Sequence, residues 1–142
     1  MKIYYYIFVL LLFFQFISCS TQSSGKETSV VSGNSDRIDA YYFHFTLRCE
    51  ACLNIEARAK ESLESLYPDY LSSGLITFQA LNLDEAPNRE LAKKFGVSGQ
   101  ALILVKGDQK IDLTNEGFLY ATVKPEKFRE IINEKVAGLL IK

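Results

Sequence analysis

The chain has 142 residues, of which 48% are hydrophobic, and its formal net charge at pH 7 is −1. This length suits one compact domain with additional segments, and it is short for two domains. The near-neutral charge gives no basic face, so nucleic acid is excluded as an expected partner. Three cysteines and one histidine, at spacings that fit no standard zinc site, also predict no bound metal, and we expect no other cofactor.

Residues 1–18 have the layout of an export signal. Lys2 precedes an apolar run at residues 7–14, and the small residue Ser18 ends the segment. The run is shorter than the roughly 20 apolar residues that a membrane-spanning helix needs. We therefore predict that residues 1–18 form a signal peptide.

A cysteine follows this segment, and Phe16-Ile17-Ser18-Cys19 resembles the lipobox of bacterial lipoproteins. The resemblance implies that lipid attached to Cys19 anchors the protein to the cell envelope. Ser20 resembles the signal that sorts such proteins to the outer membrane. Residues 19–37 are rich in Ser, Thr, Gly and Asn, which predicts a flexible tether before a folded domain at residues 38–142.

The folded domain begins with a predicted buried strand at residues 38–46, which is aromatic and nearly continuously apolar. A helix is predicted from just after Cys49 to about Tyr67-Pro68, because apolar residues recur at steps of three and four. The predicted elements after it are a strand at 74–83, a helix at 87–95, a strand at 101–106, a turn at 107–108, a strand at 109–114, a strand extension or loop at 115–120, and a helix from Pro125. This order predicts an α/β fold whose mixed central sheet carries helices on both faces.

The Cys49-Glu50-Ala51-Cys52 motif directly follows the first predicted strand, and this arrangement resembles the thioredoxin fold. Residues 81–87, 95–99 and 106–108 resemble, in order, the passage into the next helix, the segment before the substrate-binding loop and the later hairpin. The resemblance covers residues 38–142. It implies a thiol–disulfide oxidoreductase or an electron-passing redox subunit.

Within that superfamily, Tyr42-Phe43-His44 and residues 48–52 resemble a group of bacterial envelope lipoproteins encoded with arsenic-resistance functions. This ArsF-like family is described as a subunit of a nitrophenyl-compound reductase system. The resemblance implies a dedicated redox partner protein in the envelope. We expect the protein itself to be a monomer.

Three positions depart from the thioredoxin pattern. Ala101 stands where thioredoxins carry a cis-proline, and since a non-proline cis bond costs about 2.5–4 kcal/mol, we expect a trans peptide there. Phe43 stands at the position of a buried acid that aids proton transfer to the second cysteine. Arg48 replaces the usual Trp.

The dithiol itself suggests a division of roles. Thiol–disulfide exchange needs a thiolate, and Cys49 lies at a predicted helix N-terminus, where the helix dipole favours an anion. Arg48 adds positive charge beside it, whereas Glu50 opposes both effects. With Glu50 and Ala51 between them, the two sulfurs can meet across one turn, so that Cys49 attacks and Cys52 resolves the mixed disulfide.

Several alternatives remain open at this point. The pair could be an inert brace, although so short a loop constrains the unfolded chain little. It could instead bind a soft ion such as arsenite or copper(I) without turnover, or the domain could be a scaffold that docks a partner. His44 could shuttle protons near the cysteines or be an ordinary structural histidine. Four aromatic residues are predicted to lie in the core: Tyr41, Tyr42, Phe43 and Phe45. Five charged residues are predicted to form a solvated helix face: Glu56, Arg58, Lys60, Glu61 and Glu64.

Overall fold

The computed structural model describes residues 36–141. The predicted signal peptide, Cys19 and almost all of the predicted tether lie outside the described residues. No helix within residues 36–141 is both long and apolar enough to cross a membrane.

Four strands form one mixed sheet. They are β1 (Ile38–His44), β2 (Ile76–Asn82), β3 (Ala101–Lys106) and β4 (Gln109–Asp112), in the spatial order β2-β1-β3-β4. β1 runs parallel to β2 and antiparallel to β3, and β3 and β4 form an antiparallel hairpin. The two central strands, β1 and β3, are buried along nearly their whole length, which explains their continuous apolar sequences.

Five helices accompany the sheet. They are α1 (Glu50–Leu66), α2 (Pro68–Ser72), α3 (Ala86–Lys94), α4 (Thr114–Tyr120) and α5 (Pro125–Leu140). Pro68 opens α2 directly after α1 ends, in the first-turn position where its missing N–H costs nothing.

Strand alternation divides the core into two clusters, one on each face of the sheet. Tyr42 belongs to the cluster that includes Ile55 of α1 and Phe128 of α5. Tyr41 and Phe43 belong to the opposite cluster, against α3. Helices therefore cover both faces, and the predicted α/β fold with a mixed central sheet is confirmed.

The prediction for residues 115–120 was wrong, because this segment is helical and belongs to α4. A glycine within a helix is unfavourable by about 1 kcal/mol relative to alanine, which hides the helix from sequence patterns. Gly117 nevertheless lies against Ile55 of α1, and a Cβ built on it would approach the Ile55 Cγ2 to 3.0 Å. Close helix packing thus favours glycine here and overrides its low propensity.

Candidate active site

Cys49 and Cys52 are joined by a disulfide at the start of α1, with their Cα atoms 5.2 Å apart. Cys49 is the N-cap residue of that helix and has an extended backbone. Within the described part of the chain, the Cys49 side chain makes no capping hydrogen bond to the first-turn amides of α1. These unpaired N–H groups and the helix dipole therefore favour a negative charge on Cys49 after reduction.

The two cysteines differ in their access to solvent. Cys49 is exposed, whereas Cys52 is only 5% exposed and packs inside the first turn of α1. An incoming sulfur can therefore reach Cys49 much more easily than Cys52. Of the two residues between them, Glu50 is exposed and Ala51 is half-buried.

Tyr42 contacts the main chain of Cys52 and is almost fully buried. Its hydroxyl donates a hydrogen bond to the main-chain oxygen of Cys52 at 2.8 Å, and it accepts one from the side-chain amide of Gln100. Burial raises the pKa of the Tyr42 hydroxyl to about 12, so this group stays a protonated donor at neutral pH. Tyr42 and Gln100 thereby tie β1, the first turn of α1 and the segment before β3 together.

Arg48 forms an ion pair with Glu56, one turn beyond Cys52 on α1. Their side chains are 20% and 26% exposed, so the pair is largely withdrawn from water. The prediction that Glu56 belongs to a solvated helix face was therefore wrong, although the other predicted members of that face are exposed: Arg58, Lys60, Glu61 and Glu64. Because Glu56 is paired with Arg48, its negative charge partly offsets the positive charge that Arg48 places beside Cys49.

The loop before the motif is fastened to the end of β2. The Asp84 carboxylate accepts a hydrogen bond from the Thr46 amide at 2.9 Å, and the Asn82 side chain donates to the Thr46 hydroxyl at 2.8 Å. Hydrogen bonds from the side chain and the main chain of Thr46 to the Asp84 carboxylate hold the pKa of Asp84 below its ordinary value of 3.8. The approach to Cys49 is thus a constrained loop.

Three exposed apolar side chains flank the motif in the sequence. Leu47 is 93% exposed, and Phe45 and Leu53 are 41% and 49% exposed. The prediction of Phe45 as core was wrong, because β1 ends at His44 and the chain turns away from the sheet. Tyr41, Tyr42 and Phe43 are buried, as predicted.

His44 is half-buried at the end of β1. Its Nδ1 donates to the main-chain oxygen of Phe45 at 2.9 Å, and its ring lies 6.0 Å from the ring of Tyr42 between centroids. This bond gives the ring a structural partner in its own loop and favours the structural interpretation of His44.

Ala101 and Phe43 are paired across β3 and β1. The peptide before Ala101 is trans, as expected. Phe43 is fully buried on the face opposite Tyr42, so the side chain that contacts the Cys52 segment comes from the preceding residue. The alternation of side chains along β1 could have identified Tyr42 from the sequence, because Tyr42, and not Phe43, faces the same side of the sheet as α1.

Within residues 36–141, no three His, Cys, Asp or Glu side chains lie close enough together to hold a metal ion. Once reduced, the cysteine pair would offer a soft ion two thiolate sulfurs, without a third ligand of these residue types from the described residues.

Comparison with known proteins finds similarity at the level of the fold. No protein-family model matches the chain, and no curated protein matches it. Thioredoxin O2 from Arabidopsis thaliana, in its oxidised state, superposes with a TM-score of 0.51 at 19% identity, over 72% of this chain and 77% of that chain. A thioredoxin from Fasciola hepatica has a TM-score of 0.44 at 22% identity, over 70% of this chain and 81% of that chain.

The first of these likenesses, together with the sheet order and the helices on both faces, establishes a thioredoxin-like fold. The chain is a thioredoxin-like protein in fold, and it has a disulfide-linked Cys-x-x-Cys pair at the start of its first helix.

Proposed function

We propose that the protein is a thiol–disulfide oxidoreductase in which Cys49 attacks and Cys52 resolves. The observation that carries this proposal is the asymmetry of the pair. Cys49 is exposed at a helix N-terminus that favours a thiolate, and Cys52 is buried behind it at disulfide distance. A structural brace would not need one exposed sulfur.

The exchange proceeds by sulfur displacement. The Cys49 thiolate attacks one sulfur of a partner disulfide, and the other partner sulfur leaves as a thiolate. Cys52 then attacks Cys49, closes the Cys49–Cys52 disulfide and releases the reduced partner. Two electrons pass to the partner, and the reverse sequence oxidises a partner dithiol.

The experiment measures catalysed disulfide reduction by the full-length protein. The wild type should reduce insulin disulfides with a thiol donor, and Cys49→Ser should abolish the reaction. Cys52→Ser keeps the nucleophile, so it should still react once and then accumulate mixed disulfides. Equal activity of all three proteins would overturn the proposal. Tight arsenite or copper(I) binding without any disulfide reduction would favour the dithiol binding module instead.

The cellular location of the protein and its redox partner are the subject of a separate proposal. We infer a lipid-anchored protein of the bacterial envelope, with the anchor on Cys19, that serves a dedicated redox partner as in the ArsF-like family. The support is the signal-like pattern of residues 1–18 and the tether-like composition of residues 19–37.

Anchoring is tested by labelling cells with a fatty-acid analogue and fractionating them. Wild-type protein should carry the label and sediment with membranes. Cys19→Ser should lose the label and appear in the soluble envelope fraction. Unlabelled wild-type protein would contradict the lipid anchor without affecting the proposal for the dithiol.

A further inference from the structure

The Arg48–Glu56 ion pair lies beside the disulfide and has no part in the exchange steps described above. Arg48 directly precedes Cys49, and Glu56 is four residues after Cys52 on α1. Both side chains are largely buried, whereas the Arg58–Glu61 pair on the same helix is 46% and 65% exposed. Because water screens exposed charges strongly, only the first pair is positioned to affect a neighbouring sulfur appreciably.

The electrostatic environment of Tyr42 places both charges near the redox centre. Burial has the largest effect on the pKa of the Tyr42 hydroxyl and raises it, while the nearby charge of Arg48 lowers this pKa and that of Glu56 raises it. The same hydroxyl touches the main chain of Cys52. The charges of Arg48 and Glu56 therefore act on a group that contacts the dithiol, and their effect is not confined to the surface of the helix.

We propose that Glu56 sets the reduction potential of the Cys49–Cys52 couple by neutralising the charge of Arg48 beside the attacking sulfur. This inference rests on the proposed function and identifies Glu56 as a positioning residue, because it acts through Arg48 and does not itself touch the partner.

The charge balance of reduction gives the direction of the effect. A partner dithiol supplies two electrons and becomes a disulfide, while the Cys49–Cys52 bond breaks. The products are a Cys52 thiol and a Cys49 thiolate, and the remaining proton goes to solvent. A lone guanidinium would stabilise the new thiolate and hence the reduced protein. With Glu56 paired to it, Arg48 gives less stabilisation, which keeps the couple more reducing.

Charge-neutral variants test the proposal on the full-length protein. Glu56→Gln keeps an oxygen that can accept from Arg48 but leaves the guanidinium charge uncompensated. It should favour the reduced form by about tenfold in the equilibrium with glutathione, an increase of about 30 mV in potential. Arg48→Gln should shift the equilibrium the other way, and the double variant should return close to the wild type. Glu61→Gln, from the exposed pair, is the matched control and should leave the potential unchanged.

A second readout separates this inference from the proposed function. The pKa of reduced Cys49 follows from the pH dependence of its alkylation, assigned by mass spectrometry of peptide fragments. It should fall in Glu56→Gln and rise in Arg48→Gln, even in a protein that proves unable to reduce a partner. Glu56→Gln values equal to those of Glu61→Gln would overturn the inference. So would a double variant as strongly shifted as Glu56→Gln, because that result would indicate a structural effect and not charge compensation.

Discussion

The hydroxyl of Tyr42 donates a hydrogen bond to the main-chain oxygen of Cys52, 2.8 Å away, across ten residues of sequence. The bond joins the central strand β1 to the first turn of α1, where the disulfide lies. Gln100 donates to the same hydroxyl from the segment that enters β3. The thioredoxin-like sheet therefore holds the redox motif through a buried polar contact, in addition to the apolar packing around it.

Replacing Tyr42 with Phe should weaken this connection while keeping the ring. The free energy of unfolding should fall by about 1–2 kcal/mol, because the Gln100 amide loses its acceptor in a partly buried site. Denaturant unfolding of the oxidised protein measures the loss. Tyr70→Phe is the matched control, since Tyr70 is 40% exposed, and it should change stability by less than about 0.5 kcal/mol. Equal losses in the two variants would contradict the role given to the Tyr42 hydroxyl.

The packing of α4 on α1 predicts opposite effects for two glycine substitutions. Gly117→Ala should destabilise the fold by about 1 kcal/mol, because its new methyl group meets the buried Ile55 side chain at 3.0 Å. Gly138→Ala in α5 should stabilise it by about 0.5–1 kcal/mol, since the added Cβ would meet no described atom within 4 Å beyond its chain neighbours and the nearby backbone of its own helix, and alanine favours helix. The midpoint of thermal unfolding should fall in Gly117→Ala and rise in Gly138→Ala. Stabilisation by Gly117→Ala would contradict the close packing.

The Asp84–Thr46 contact predicts a pH dependence of stability. The pKa of Asp84 lies below its ordinary value in the folded protein, mainly because of hydrogen bonds from Thr46. Its contribution is therefore present above the ordinary carboxyl pKa and is lost as pH falls through the lower folded value. Asp84→Asn should make the midpoint of thermal unfolding less sensitive to pH in the acid range. Asp108→Asn, in the exposed β3–β4 turn, should retain the wild-type dependence. Identical acid profiles for wild type and Asp84→Asn would contradict the prediction.

The exposed side chain of Leu47 predicts a change in partner exchange without a change in fold. Any protein that forms a mixed disulfide with Cys49 must approach this loop, so Leu47→Ser should slow exchange with protein disulfides by about fivefold, roughly 1 kcal/mol. Exchange with a small aromatic disulfide and the stability should be nearly unchanged, because the side chain is 93% exposed.

Ile141→Ser provides the control for Leu47. Ile141 is 86% exposed and lies two residues after Leu139, whose main-chain oxygen accepts a hydrogen bond from Lys106 at the end of β3 remote from Ala101. Stopped-flow measurement of the exchange rates distinguishes the two variants. Equal slowing by both, or slowing of the small disulfide as well, would contradict a docking role for Leu47.

The fold was largely predictable from the sequence because its central elements have strong local signals. The apolar run that begins at Ile38 and the three- and four-residue spacing after Cys49 correspond to β1 and α1. The helix α4 was not predictable in the same way. Its formation depends on the fit between Gly117 and Ile55, which are 62 residues apart, and local propensity opposes a glycine there.

The candidate site likewise has local features that the sequence predicts and tertiary contacts that it does not predict. The Cys49-x-x-Cys52 motif and its position at a helix start are local features, and the sequence identifies both. The Arg48–Glu56 pair joins a loop to a helix face, and Glu56 has the same spacing as neighbours that face solvent. The contact of Gln100 with Tyr42 spans 58 residues and depends on the β1–β3 pairing. Such contacts arise only when the tertiary structure brings the segments together.

If Cys49 is the attacking sulfur of a redox-active pair, a mixed disulfide with a partner protein can be trapped through Cys49 once Cys52 is removed. Full-length Cys52→Ser and Cys49→Ser proteins, reduced and then mixed with a disulfide-containing protein, differ only in which sulfur remains at this site. Cys52→Ser should form a covalent adduct through Cys49 that a reductant releases, and Cys49→Ser should form little or none. Adducts of equal yield through either cysteine, or through neither, would contradict the role of Cys49 as the attacking sulfur.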